Sequence, residues 1–495
     1  MNISANLASN VWSTLIALLL IPWYVRLLGV ESYGLIGFHT ALLAILGILD
    51  TGISATATRQ IAWLNARDSD KQGLPSFLWT LEVAYGCVIG GILLAMLGSA
   101  WWFGAAWFQL RQLSEAVMRD ALMLMCISVA IQMPSGLYVG GLMGLQRQVE
   151  CSCLVAVFGT VRAVGAVVLL LINPDIRAFF GWQIAASCLQ TGVIRWALWR
   201  EVAKVGPAMF SMKVLHSMRS FAGGMTLITA LSVITTQADK VILTRLVSLE
   251  VFGFYALAWT VASGLSRVVT PLTQAFSPRF TELVATGDYA VLAKHVRTAS
   301  QLTSALILPP AALLIVLPEP ILMAWIGDSV VAHRSAPLLQ LLVLGTVLSA
   351  SSYPALSVLY SRNRIRTVVA VTAVCGALLL PMAVIAVQRF GSAGAAACWM
   401  VNGAIMYVAY QTTGLRGLPD TAIFRSIGRD LLVPATLAFV VAGATHHLHG
   451  SAEGRLQSIL AVTVGLAVGW VALLASCTDT LALADQFKWK TARLL

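Results

Sequence analysis

The chain has 495 residues, of which 58% are hydrophobic and only 11% charged, and its mean hydropathy is +0.83. This composition excludes the string of soluble domains that the length alone would suggest. A net charge of +11 and a pI near 9.5 raise the question of nucleic acid. Membrane topology and anionic lipid account for that charge, and no nucleic-acid partner is expected.

Apolar runs of about twenty residues, enough to cross a hydrocarbon core of roughly 30 Å, recur from end to end. They predict fourteen helical spans, at about 7–25, 33–56, 76–98, 120–142, 151–172, 178–199, 221–244, 252–275, 299–317, 336–360, 367–387, 392–414, 431–448 and 456–476. In lipid each span has to satisfy its own backbone, so the fold class is an all-α polytopic membrane protein. The first run lacks a basic n-region and a convincing cleavage site, so it is expected to stay as the first helix. Placing the N-terminus in the cytoplasm puts the whole +11 on the cytoplasmic face, which predicts that both termini lie there. Outer loops are short. The longest, about 99–119, holds Trp101, Trp102, Phe103, Trp107 and Phe108, an interfacial anchor or, as a second reading, a lipid contact.

The chain repeats at an offset of 219 residues. Arg26 meets Arg245, Leu27 meets Leu246, Glu31 meets Glu250, Tyr33 meets Phe252 and Gly34 meets Gly253. The same offset lays a polar or small stripe, Asn10, Ser13 and Ala17, over Thr229, Ser232 and Thr236. Six spans separate the copies, so both halves run through the bilayer in the same sense, as in a parallel repeat. The expected organisation is a six-helix lobe at 1–199, a cytoplasmic connector at 200–220 and a second lobe at 221–415. Two additional helices at 430–476 and a cytoplasmic tail at 477–495 complete it. The connector carries Arg200, Lys204, Lys213 and Arg219 and reads as an amphipathic stretch on the inner leaflet.

Six charged residues fall inside spans: Asp50, Glu82, Arg162, Asp239, Lys240 and Arg267. An ion at mid-bilayer costs roughly 2.5–3.5 kcal/mol on insertion scales and usually serves function. Asp50 shares a helix face with His39, and Arg267 falls two residues from it under the repeat offset. Arg26, Arg59, Arg245 and Arg279 mark the span ends. The set suggests a basic pathway for an anionic head group, since arginine stays charged and pairs with phosphate in a fork. Expected substrate-binding residues are Arg26, Arg59, Arg162, Lys240, Arg245, Arg267 and Arg279. Asp50, Glu82 and Asp239 are the coupling or counter-ion candidates, the coupling ion being left open between proton and sodium. Against this stands a structural reading in which Arg162 and Arg267 pair with Glu82 or Asp50, while Lys240 snorkels beside Asp239. Prolines at 22, 134, 271, 309, 310, 354, 381 and 434 bend spans as hinges or as static shape.

No metal or cofactor is expected. Cysteines lie in or beside spans, Cys151-x-Cys153 reads as two small apolar residues, and His446-His447-x-His449 as solvated loop. Neither a P-loop nor a nucleophile elbow is present, so neither an ATP-driven pump nor an enzyme is expected.

The stretches "IPWYVRLLGVESYGL" (21–35), "LDTGISATATRQIA" (49–62), "ADKVILTRLVSLEVFGFYALA" (238–258), "SPRFTELVATGDYAVL" (277–292) and "YSRNRIRTVV" (360–369) resemble the polysaccharide repeat-unit (O-antigen or capsule) flippases of the multidrug/oligosaccharidyl-lipid/polysaccharide (MOP) exporter superfamily. The resemblance implies two pseudo-symmetric six-helix lobes, two extra C-terminal helices and alternating access through a central cavity. It implies flipping of an undecaprenyl-diphosphate-linked oligosaccharide across a bacterial inner membrane, with membrane lipid and polysaccharide polymerase machinery as further partners. Asp50 and Arg59 fall in its second-helix motif and Asp239 in its seventh. A multidrug/cation antiporter, a peptidoglycan-precursor flippase and an integral-membrane polymerase or glycosyltransferase remain the alternatives.

Overall fold

The computed structural model describes residues 2–66, 71–212, 216, 230, 233, 235–419, 428–450 and 455–476. Its helices are α1 (Asn2–Ala66), α2 (Leu74–Trp107), α3 (Glu115–Gln132), α4 (Pro134–Gly144), α5 (Gln148–Ile172) and α6 (Ile176–Val202). They continue with α7, described at 235–246, then α8 (Leu249–Thr286), α9 (Tyr289–Val316), α10 (Pro318–Ile326), α11 (Ser329–Ser351) and α12 (Tyr353–Ser361). The last are α13 (Ile365–Gly414), α14 (Val433–Gly450) and α15 (Arg455–Ser476).

The described residues recover thirteen of the expected crossings, and 235–244 of the one expected at 221–244, once the breaks are read correctly. α1 turns at Gly29 (φ 78°, ψ 167°) and α13 at Gly391 (φ 59°, ψ −139°), so each holds two crossings. Both dihedral pairs lie where a Cβ is strained and glycine is not. Conversely, α3 with α4 and α11 with α12 are single crossings interrupted at Met133–Pro134 and Ser352–Tyr353. Proline at the start of the second piece costs nothing there, because that N–H has no helical partner anyway. The short helix α10, capped by Gly327 in the left-handed region, has no counterpart among the expected elements. Polar side chains cap the interhelical turns: Ser114 for α3, Asp175 for α6, Asp288 for α9 and Asp328 for α11.

The chain divides into two compact units, residues 1–256 and 257–495. In unit 1, Leu78, Leu81 and Tyr85 of α2 pack with Leu137 and Leu142 of α4 and Ile194 and Leu198 of α6. In unit 2, Phe280, Leu292, Val358, Leu359 and Tyr410 form the corresponding core. Lipid is as apolar as these side chains, so close backbone approach between helices carries much of the cohesion.

The sequence repeat is visible in the packing inside unit 1. A Cβ on Gly34 would run into the Leu249 carbonyl, and one on Gly253 into the Val30 carbonyl. A Cβ on Gly37 would lie 2.6 Å from that of Ala256. Under the 219-residue offset, 30 maps to 249, 34 to 253 and 37 to 256, so the 34–249 contact is mirrored by 253–30, and positions 34 and 37 each meet their own repeat mate. That is the signature of a two-fold axis between the second half of α1 and the start of α8.

One loop expectation is corrected. α2 runs on to Trp107, so the aromatic segment expected as loop 99–119 is mostly helix, with Trp101 and Trp102 exposed on its last turns and the loop reduced to 108–114. Within the connector, 206–211 is extended: Met209 N–H donates to Ser76 Oγ and Ser211 N–H to Thr80 Oγ1, which lays it along α2 with Met209, Phe210 and Met212 exposed. Lys213 and Arg219, with Thr229, Ser232 and the tail 477–495, lie outside the described residues.

Candidate functional site

Asp50 is positioned by a ladder of small residues. α4 presents Gly136, Gly140 and Gly144 at four-residue spacing, and the second half of α1 presents Asp50, Ser54 and Thr58 at the same spacing. The Asp50 carboxylate rests where a Gly136 side chain would be, and Ser54 Oγ lies 2.6 Å from where a Gly140 Cβ would be. Ser54 Oγ donates to the Gly136 carbonyl at 3.0 Å and Thr58 Oγ1 to that of Gly140 at 2.9 Å, bonds that fix the register between the helices. Tyr85 OH donates to Asp50 Oδ1 at 3.4 Å. No basic side chain pairs with Asp50 among the described residues.

The other two carboxylates inside spans are neutralised locally. Glu82, 8% exposed at its side chain, takes a forked pair from Arg195 at 3.1 and 3.0 Å and a bond from Trp199 Nε1 at 2.6 Å. Its partner is therefore Arg195, which lies inside the 178–199 run but is absent from the six charges singled out there, and not Arg162 or Arg267. Arg195 and Trp199 lie one turn apart on α6, a spacing that could have revealed the pair. Asp239 accepts from Tyr255 OH and pairs with Lys240 at 3.3 Å. Lys240 also donates to the Thr236 carbonyl at 2.9 Å and is 5% exposed, so it is enclosed and does not snorkel.

The arginines separate into distinct environments. Arg26, Arg59, Arg267 and Arg279 are exposed. Arg279 pairs with Glu282 at 2.6 Å, one turn away on α8. Arg267, midway along α8, has no described hydrogen bond or ion pair. Arg245 grips the Ala106 carbonyl at 2.7 Å and that of Trp107 at 3.3 Å, with its guanidinium over the Trp107 ring. Arg162 on α5 donates to Gln190 Oε1 on α6.

The glutamate of each repeat converges on loop 108–114. Glu31, 2% exposed, accepts from the N–H groups of Arg111 and Gln112 at 2.7 Å each and of Leu113 at 3.2 Å. Its repeat mate Glu250 takes the Arg111 guanidinium at 3.3 Å, and Leu249 N–H donates to the Gln109 carbonyl at 3.1 Å. The offset alone signals that the two glutamates correspond. It carries no trace of the third segment they share.

Outside the spans, charge is ordered by ordinary pairing. Hydrogen bonds from Arg177 hold the Asp175 carboxyl below its usual range. Lys204, then Arg147 and Arg200, do the same for Glu201 where α6 ends. Among the described residues no three His, Cys, Asp or Glu side chains group as metal ligands.

A family model described as "Polysaccharide biosynthesis protein" matches residues 1–284. A candidate O-antigen transporter of Shigella flexneri is 20% identical over 405 residues, covering 80% of this chain and 93% of that protein. The uncharacterized membrane protein EpsK of Bacillus subtilis (strain 168) is 24% identical over 394 residues, covering 77% and 76%. Among solved structures, the lipid II flippase MurJ in an inward closed conformation superposes with a TM-score of 0.76 at 12% identity, over 97% of this chain and 98% of that one. An inward-facing multidrug resistance MATE family transporter of the MOP superfamily gives 0.67 at 13% identity, over 86% and 99%. The helix order, the internal two-fold and a match spanning more than half the sequence lead to one assignment: the chain belongs to the polysaccharide biosynthesis protein family and carries the fold of the MOP-superfamily exporters.

Proposed function

We propose that this protein flips an undecaprenyl-diphosphate-linked oligosaccharide from the cytoplasmic to the periplasmic leaflet of a bacterial inner membrane, by alternating access, with both termini cytoplasmic. The observation that carries this reading is Arg267: a guanidinium midway along a membrane-crossing helix, exposed and held by no described partner. Such a charge does not face lipid, because the cost of several kcal/mol would go uncompensated. It faces water and is available to a diphosphate, which it binds through two parallel N–H···O bonds. Arg26 and Arg59 are also exposed, while Arg245 grips the Ala106 and Trp107 carbonyls and Arg279 pairs with Glu282. Among the described residues Asp50 is a carboxylate inside a span with no basic side chain paired to it, and it is the group assigned here to proton exchange. Family membership and the names of the Shigella relative and of MurJ support a lipid-linked cargo over a soluble cation.

The test is translocation of a fluorescent undecaprenyl-diphosphate oligosaccharide in proteoliposomes. A lost charge-assisted contact of ~1.5–3 kcal/mol predicts a fall of about 10- to 100-fold for Arg267→Ala, with partial retention in Arg267→Lys. Translocation by Arg267→Ala at the wild-type rate overturns the assignment. Inactivity toward every such lipid, together with export of cationic drugs, makes the protein an antiporter.

A further inference from the structure

One backbone turn is built twice, and the two copies are neutralised differently. α4 meets α5 through Gln146 (φ 61°) and α12 meets α13 through Asn363 (φ 56°), the non-glycine residues with positive φ among those described. In unit 1 the N–H groups of Leu145, Gln146 and Arg147 donate to the carbonyls of Gly141, Met143 and Leu142. In unit 2 those of Arg362, Asn363 and Arg364 donate to the carbonyls of Val358, Tyr360 and Leu359. An offset of 217 residues superposes every donor and acceptor.

Charge separates the copies. Arg147 pairs with Glu150 at 2.9 Å and with Glu201 at 3.0 Å, and Arg200 joins both carboxylates. The same offset puts Thr367 in the place of Glu150, and the chain just past α13 carries Arg416. Arg362, Arg364 and Arg366 crowd into five residues, and among the described residues no carboxylate pairs with them or with Arg416. Asp288 caps α9, and Glu282 pairs with Arg279. Positive-inside topology accounts for arginines at the end of a span. It does not account for carboxylates in one copy of the turn and none in the other.

The turn is fixed from behind. Arg362 Nη1 donates to the carbonyls of Gly414 at 3.2 Å and Arg416 at 2.9 Å, and its guanidinium lies over the Tyr289 ring, 5.4 Å from the centroid. These contacts gather the α12–α13 turn, the end of α13 and the start of α9. Burial, and then Arg364, push the Arg362 guanidinium below its usual range. Arg364, Arg366 and Arg416 are exposed beside it. An anion relieves their repulsion, and a guanidinium takes phosphate in a fork.

What adjoins the arginines selects the source of that phosphate. Tyr289, Tyr360 and Ile365 are exposed at the turn, as side chains at headgroup depth are. From Arg366, the residues Ala370, Val374 and Leu378 follow on α13 at four-residue steps, all exposed. At 1.5 Å per residue they extend an apolar lane of about 18 Å. A basic head position above an apolar lane matches a lipid, whereas a soluble phosphate has no use for the lane.

We propose that the α12–α13 turn of unit 2, through Arg364, Arg366 and Arg416, binds the phosphodiester headgroup of an anionic phospholipid whose acyl chain lies along α13. The bound lipid supplies the negative charge that Glu150 and Glu201 supply in unit 1. This goes beyond the flippase reading, since it requires no cargo and uses none of the arginines assigned to one.

Full-length protein, purified in detergent and depleted of native lipid, is titrated at constant ionic strength while thermal unfolding is followed. The additions are phosphatidylglycerol, phosphatidylcholine or glycerol 3-phosphate. Phosphatidylglycerol is expected to raise Tm saturably, as a ligand of the folded state does, and phosphatidylcholine is not. Two lost charge-assisted contacts predict a half-saturating concentration at least about 10-fold higher in Arg364→Gln/Arg366→Gln. The control Arg200→Gln/Lys204→Gln, which removes as many charges from unit 1, keeps the wild-type value. Equal responses to the two phospholipids, an unchanged value in Arg364→Gln/Arg366→Gln, or the same weakening in the control overturns the proposal. So does an arginine-dependent rise with glycerol 3-phosphate alone, which makes this a site for a soluble phosphate. Should the arginine variant fail to fold, wild-type protein labelled with a photoactivatable phosphatidylglycerol decides: adducts on peptides spanning 360–378 support the site, and their absence there overturns it. Loss of translocation with this lipid response intact counts against the flippase reading alone.

Discussion

Glu31 and Glu250 are the same residue in two copies of one repeat, and their environments predict opposite sensitivities to one change. Glu31 is 2% exposed and accepts three backbone N–H groups, at 2.7, 2.7 and 3.2 Å. In Glu31→Gln the amide oxygen is best placed toward Gln112 and Leu113, leaving its NH2 against the Arg111 N–H. One bond is then lost, two donors oppose each other, and the surviving bonds lose their charge. With charge-assisted bonds at ~1.5–3 kcal/mol and an unsatisfied buried donor at ~1–3 kcal/mol, the loop is destabilised by about 3 kcal/mol. At 1.4 kcal/mol per decade that accelerates local opening by about 100-fold. Hydrogen exchange at the amides of residues 111–113 reads this directly. Glu250→Gln weakens its pair with Arg111, whose side chain is 61% exposed, a contact worth ~0.2–1 kcal/mol, and exchange at the same amides should stay within about 5-fold of wild type. Exchange in Glu31→Gln within about 3-fold of wild type would refute the account of how the loop is held.

Two further outcomes follow from the same geometry. Gly136→Ala places a methyl group on the Asp50 carboxylate and is expected to lower stability by ~1–3 kcal/mol. In an Asp50→Gly background the loss should shrink to under about 1 kcal/mol by a double-mutant cycle, and an unchanged loss rejects the ladder as its cause. Asp175 caps α6 and its carboxyl is held below its usual range by Arg177. Its contribution is therefore complete above about pH 4 and fades as pH falls through the depressed value. Asp175→Ala should cost ~1 kcal/mol at neutral pH and flatten the acid limb of a plot of Tm against pH.

The crossings are legible in the sequence because lipid imposes a length and an apolar composition on each one. The turns at Gly29 and Gly391 fall between adjacent apolar runs for the same reason. What escapes is side-chain partnership. Glu82 and Arg195 belong to helices whose relative rotation depends on packing, and Arg195 at the end of its run resembles an ordinary positive-inside residue. Lys240 looks like a snorkelling lysine until Asp239 and the Thr236 carbonyl are seen to enclose it. The Gly136–Gly140–Gly144 spacing is present in the sequence as a small-residue ladder. Only the facing Asp50–Ser54–Thr58 stripe shows what it receives. Loop 108–114 illustrates the general obstacle: its partners come from segments about 80 and 139 residues away in sequence, and no local pattern encodes such a distance.

The contact between Gly34 and Gly253 has a bearing on substitution as well as on packing. A helix that meets its own symmetry mate meets every side chain twice, so bulk added at an on-axis position is opposed by an equal bulk. Gly34 and Gly253 are therefore constrained as a pair: a side chain on either is stopped by backbone of the other segment, so neither position can enlarge unless that segment moves.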